Sequence, residues 1–159
     1  EVRLLELEDG TTIPQVNAIC RYLEDIHPDI PLHGRDPVEG ALVEAANTKI
    51  QLDGFMAAAE AFRNFTPGLK DRAMPGPHNY AQIPELAKRG LLRLDNFLAD
   101  LESHFESNEY MVSNYFSVAD ISALVCIDFA KWVKKLIPED YKNLHRWYGT
   151  VSARPSCKV

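Results

Sequence analysis

Cysteine is scarce in this chain, and what there is does not pair. Cys20, Cys126 and Cys157 form an odd set with no metal-ligand spacing. Cys20 and Cys126 fall in apolar helical stretches and read as small buried hydrophobes of a reducing compartment. The five histidines stand far apart, with no HxH or HxxxH pair, so no metal site is expected. An excess of basic residues is lacking too. The net charge of -6 argues against nucleic acid or an anionic membrane as the main partner, since both require a basic face. No apolar run reaches membrane length and no signal peptide is read at the start, so no membrane association is expected. The phosphate loop, GxSxG, HExxH and GxGxxG are all missing, as are internal repeats.

What is present is an ordinary globular balance, 46% apolar and 25% charged over 159 residues. It is organised around Phe116 to Trp132, FSVADISALVCIDFAKW. Ser117 and Asp120 stand at the spacing of a capping box, and Phe116 and Ile121 at that of a hydrophobic staple. Asp120 is therefore read as a structural cap rather than a catalytic acid. From Val118 onward the helix is apolar on nearly every face, which predicts a central helix surrounded by others.

Before it, Val2 to Leu7, Glu8-Asp9-Gly10 and Thr11 to Ile13 read as a β-hairpin. A helix is predicted over Val16 to Asp25, with Ala18, Ile19, Tyr22, Leu23 and Ile26 on one side. Strand, turn, strand, helix looks like the second half of a small α/β domain and points to an upstream strand and helix. His27 to Pro37 is rich in proline and reads as a linker. Val38 to Asn64 is expected to be one long helix with an apolar row at Leu52, Phe55, Met56, Ala59 and Phe62. Gly54 in its middle costs about 1 kcal/mol against Ala, which close packing or ligand access would justify. After a Pro/Gly-rich loop, a helix from about Ile83 to Phe105 carries Ala87, Leu91, Leu94, Leu98, Leu101 and Phe105 at bundle spacing. A last helix, Glu139 to Ser152, turns Tyr141, Leu144, Tyr148 and Val151 inward. Trp132 and Trp147 are read as helix-end residues of core or rim, and Lys131, Lys134 and Lys135 as a solvated helix end.

Five features, in order, resemble the cytosolic glutathione transferases: VRLLELEDG before TTIP, QVNAI followed by CRYLE, the proline linker ending in GRDP, FSVADI, and VSARPS. The fold class this implies is mainly α. An all-α helical bundle over 38–159 follows a β-hairpin plus helix fragment of a thioredoxin-like, glutathione-binding α/β domain over 1–27, with a linker at 28–37. The strand and helix that carry the family's catalytic Ser, Tyr or Cys are not in this sequence, so no catalytic residue is assigned.

The resemblance also implies binding positions. Val2 and Arg3 stand where the family has Val-Pro, with a cis bond and backbone contacts to the cysteinyl part of glutathione. Before Arg3 a cis bond would cost about 2.5–4 kcal/mol, so trans is expected. Gln15 matches the residue that holds the γ-glutamyl end, and also reads simply as a polar residue at a helix start. Val16 replaces a Ser or Thr that donates to the γ-glutamyl carboxylate, which weakens or removes glutathione binding. Phe55, Met56, Phe62 and Arg63 are expected either to line the electrophile pocket or, for the apolar three, to serve in helix packing, with Arg63 a solvated or dimer-facing charge.

Two functions follow from the resemblance. In the first, the complete protein conjugates glutathione, its co-substrate, to a small apolar electrophile, as a cytoplasmic homodimer without a metal. In the second it is a non-catalytic binding or assembly module. A glutathione-dependent reductase or isomerase of the same fold is a third, weaker option.

Overall fold

The computed structural model describes residues 4–112 and 114–157. The expected position of Val2 and Arg3 lies outside them. Strand β1 (Leu4–Glu6) pairs antiparallel with β2 (Thr12–Pro14), Leu5 opposite Ile13. The turn is closed by the Leu7 N–H donating to Thr11 O at 2.8 Å and by the Asp9 carboxylate accepting from the Thr11 N–H at 2.8 Å. That second bond holds the Asp9 carboxyl below its usual range.

Helix α1 (Val16–Ile26) follows and packs on β1 and β2. Ile19 and Tyr22 are half-buried, but Ala18, Leu23 and Ile26, expected on the same inward side, are exposed. The reason is area: two three-residue strands cannot cover an eleven-residue helix. Cys20 is likewise half-buried rather than a core residue. The linker is tied down at its middle. Glu24 accepts from the N–H groups of Leu32 and His33 at 2.7 and 2.9 Å, and Leu32 O accepts from the Val118 N–H at 2.9 Å.

The long helix expected over Val38 to Asn64 is continuous but not uniform. It starts a residue earlier, as α2 (Pro37–Lys49), with Pro37 in the first turn and the Asp36 carboxylate capping the N–H groups of Val38 and Glu39. Ile50–Phe55 is wound as a π-helix, and α3 (Met56–Phe65) resumes the α pitch. The expected row does not face the core. Leu52 and Met56 are about half exposed, and Phe55, Ala59 and Phe62 are half-buried. The buried side is Ile50, Gly54, Ala57, Ala58 and Ala61. Bulk is excluded there by close approach. A Cβ on Gly54 would meet the Cys126 Sγ at 2.6 Å and the Phe97 ring at 2.9 Å. One on Gly90, across the interface, would meet Ala57 O at 2.6 Å and Ala61 N at 2.7 Å. So α3 packs on helix α4 (Pro84–His104) through its small residues, and its large ones are left at the edge.

Helix α4 buries Ala87, Leu94, Leu98 and Leu101 as its periodicity predicts, with Phe105 buried just beyond and Leu91 half-buried. Helix α5 (Val118–Ala130) is the core helix, but it is not enclosed all round: Val125 and Asp128 are exposed on one side. The capping box forms, the Asp120 Oδ2 accepting from the Ser117 N–H at 3.0 Å and from its hydroxyl at 3.1 Å. Asp120 does more than cap. Its Oδ1 accepts from the Met111 N–H at 3.0 Å and from the Trp147 indole at 2.9 Å. Phe116 joins the core edge, with the Arg154 guanidinium 3.8 Å over its ring.

The last helix, α6 (Lys142–Ser152), begins three residues later than expected, because Glu102 of α4 accepts from the N–H groups of Asn143 and Leu144 and fixes the start there. Trp147 is a core residue as expected, 1% exposed and stacked on Phe105 at 4.7 Å, but it sits mid-helix rather than at a helix end.

Candidate functional site

Two local features among the described residues bear on the expected site. The first is the start of α1. Gln15, its N-cap, has φ 71 and ψ 128, a left-handed-side conformation that costs a non-glycine residue on the order of 1–3 kcal/mol. Gln15 and Val16 are both exposed, and no side chain caps the first N–H groups of α1. Such a helix start is favourable for an anionic group. The Val16 side chain adds no donor of its own.

The second is the open side of α5. Phe62, Val125, Asp128, Phe129 and Trp132 line a shallow cavity of about 390 Å³. Three aromatic rings meet edge to face, Phe62 to Phe129 at 5.7 Å and Phe62 to Trp132 at 6.0 Å. The rim is polar. Asp128 Oδ1 accepts from the Lys131 ammonium at 2.6 Å and from the Tyr148 hydroxyl at 2.6 Å. Burial, and then the proton it donates to Asp128, hold the Tyr148 hydroxyl above its usual range. The bond to Asp128 raises the Lys131 ammonium likewise. At neutral pH this triangle is a closed, charge-balanced network beside an apolar floor, not a poised acid or base.

Of the four pocket candidates read from the sequence, the structure brings only Phe62 to this cavity. Phe55 packs against the main core, and Met56 is exposed and does not line it. Arg63 does not line it either. Its guanidinium donates to Ala73 O at 2.9 Å and to Arg72 O at 2.8 Å, clasping the loop that follows α3. Sequence reading missed Val125, Asp128 and Phe129, because an apolar run gives no sign of which side of a core helix is left uncovered. The interruption at Asp128 was the one available signal. Ser117 and Asp120 lie in the core, away from this cavity's lining. Among the described residues no cluster of three His, Cys, Asp or Glu side chains is placed to hold a metal, and no helix is long and apolar enough to cross a membrane.

The comparisons with known proteins agree with this architecture. The family described as glutathione S-transferase, C-terminal domain, matches residues 58–155. Glutathione S-transferase 2 of Saccharomyces cerevisiae is 29% identical over 160 residues, covering 99% of this chain and 65% of that protein. Elongation factor 1-gamma 2 of Oryza sativa is 28% identical over 99% of this chain and 35% of its own length. Among solved structures, a Gtt2-class glutathione S-transferase of Vibrio parahaemolyticus is 34% identical with a TM-score of 0.83, covering 99% of this chain and 72% of that one. Gtt2 of Saccharomyces cerevisiae superposes with a TM-score of 0.85 at 28% identity, over 98% and 72% of the two chains. The chain belongs to the glutathione S-transferase family and carries its all-α C-terminal fold behind a short hairpin and helix. It spans less than two thirds of the curated relatives' length.

Proposed function

We propose that the complete protein is a glutathione transferase that joins the glutathione thiolate to small apolar electrophiles. The observation that supports this most is the uncovered aromatic strip made by Phe62 of α3, Phe129 of α5 and Trp132 just after α5. The resemblance gives the all-α domain much of the electrophile pocket, and an open apolar strip suits that role. The start of α1 takes the γ-glutamyl end, with Gln15 twisted toward it and the bare N–H groups facing its carboxylate. By the resemblance alone, Val2 and Arg3 are proposed to contact the cysteinyl backbone. With an activated aryl chloride the sulfur bonds to the ring carbon and chloride leaves. The protein acts as a homodimer in the cytoplasm, and no residue of this chain is assigned the activation of the thiol. The linker boundaries at 28–37 divide the glutathione-binding part from the electrophile-binding part.

A second reading has its own support. The elongation factor 1-gamma relatives match 98–99% of the chain at 25–29% identity and are not named as transferases, and Val16 lacks the hydroxyl that would hold the γ-glutamyl carboxylate. On that reading the helical domain is a binding or assembly module. Steady-state conjugation of chlorodinitrobenzene by the full-length protein separates the two. Turnover whose KM for the electrophile rises in Phe62→Ala and Trp132→Ala supports the transferase. Absence of turnover leaves the module.

A further inference from the structure

Residues 4–26 and the helical bundle share little direct contact. Helix α1 has no buried residue and packs on the two strands. Among the described residues no hydrogen bond or ion pair runs directly from 4–26 to 37–157. A stretch rich in proline between two such units is ordinarily a tether, and the units move against each other.

This stretch is held instead. Glu24, in the last turn of α1, reaches eight and nine residues along the chain. Its Oε2 accepts from the Leu32 N–H at 2.7 Å and its Oε1 from the His33 N–H at 2.9 Å. A carboxylate in the last turn opposes the helix dipole, so α1 by itself gives no reason for glutamate there. Leu32 is engaged on its other side as well, its carbonyl accepting from the Val118 N–H at 2.9 Å. Val118 is the first residue of α5, and its N–H is one that no carbonyl of its own helix can satisfy.

The next residues are held too. His33 is buried. Gly34 has φ 116, and a Cβ there would collide with the backbone of Gly40 in the first turns of α2. Arg35 Nε donates to Glu39 of α2 at 2.8 Å, and its guanidinium lies 4.2 Å over the ring of Tyr115, just before α5. Leu32 to Arg35 thus touch α1, α2 and the N-terminal end of α5, the first three of them through backbone atoms. Backbone groups have no rotamers with which to absorb a displacement, so this path is stiff.

We infer that the linker is a strut, with Glu24 as the positioning residue that fixes the hairpin and α1 against the N-terminal end of α5. Its consequence for chemistry rests on the transferase reading. With glutathione at α1 and the electrophile in the bundle, the strut sets the approach of sulfur to carbon. Glu24 does not line the aromatic cavity, so its loss lowers turnover and leaves the affinities in place.

Hydrogen exchange of the full-length protein, followed amide by amide by NMR, tests the strut without either ligand. In Glu24→Ala the Leu32 and His33 N–H groups lose their acceptor and exchange faster, as they would for a purely local contact. The strut requires in addition that Val118, which Glu24 does not touch, exchange about tenfold faster while Leu98 in α4 is unchanged. Glu24→Gln, which keeps one accepting oxygen, gives the same pattern at smaller amplitude and serves where the alanine variant does not fold. Conjugation of chlorodinitrobenzene is the second readout: kcat falls by about tenfold, within the scale of a sub-ångström misplacement, while both KM values stay within about twofold. Unaltered exchange at Val118 overturns the strut. Unaltered kcat beside an active parent, or a loss carried by KM, overturns Glu24 as a positioning residue. A parent without turnover removes the transferase reading, and Val118 still decides the strut.

Discussion

Replacing Asp120 by Ala removes the acceptor for four donors at once. Its two oxygens receive the Ser117 N–H, the Ser117 hydroxyl, the Met111 N–H and the Trp147 indole, all at 2.9–3.1 Å, and the side chain is wholly buried. The hydroxyl can turn to another acceptor. The two backbone N–H groups and the indole cannot, and each unsatisfied buried donor costs about 1–3 kcal/mol. Partial relaxation and water entry reduce the sum, so the expected loss is about 3–5 kcal/mol, the range seen when one partner of a buried charged network is removed. For a protein stable by roughly 5–15 kcal/mol that is a large fraction. At this chain length it corresponds to a fall in Tm of about 10 °C. Asp120→Asn should cost less than Asp120→Ala but still destabilise, because one oxygen goes on accepting while its NH2 group faces at least one N–H that can only donate. Trp147→Phe keeps the stack on Phe105 and gives up one bond, at about 1–2 kcal/mol. The assay is urea unfolding of the two single variants and the double variant. In the Asp120→Ala background Trp147→Phe should cost at least 1 kcal/mol less than it does alone. Strict additivity, or a loss under about 1 kcal/mol for Asp120→Ala, would refute the view of Asp120 as the joint between α5, α6 and the segment before them.

Four further outcomes are expected. Gly54→Ala, which on an exposed helix would stabilise, should destabilise by about 1–3 kcal/mol, because its Cβ lands on Cys126 and Phe97; calorimetry reads the sign. The Cys126 thiol, pushed up to about 12 by burial, should resist alkylation in the native protein while Cys20 and Cys157 react, as peptide mapping would show. Glu39, held at about 2 chiefly by its hydrogen bond to Arg35, stabilises the fold above its ordinary value near 4.5, and this is lost as pH falls toward 2. In Glu39→Gln the urea midpoint should therefore depend less on pH in that window and nowhere else. Val16→Ser should tighten glutathione by about tenfold or more, the scale of one hydrogen bond to a charge, by calorimetric titration; unchanged affinity would remove Val16 from the binding site.

Much of this was legible locally. The Asp9-Gly10 turn, the Ser117–Asp120 box and the four-and-three spacing of α4 are each specified by residues within a few positions of one another, and each forms. Their energetics are those of neighbours in the chain, so a sequence suffices. The family resemblance rested on the same kind of short signals.

The rest depended on residues far apart. Which face of the long helix is buried was decided by Phe97 and Cys126 pressing on Gly54, and by the closeness of α3 to Gly90, not by the size of the side chains on the helix itself. The start of α6 was decided by Glu102, about forty residues earlier. Arg63 was taken from the candidate pocket by carbonyls of a loop it cannot foresee. The cavity at Trp132 exists because α3 and the end of α5 leave an edge uncovered where they meet. A sequence records which residues are apolar; whether an apolar face meets a neighbour or water is settled only when the helices pack.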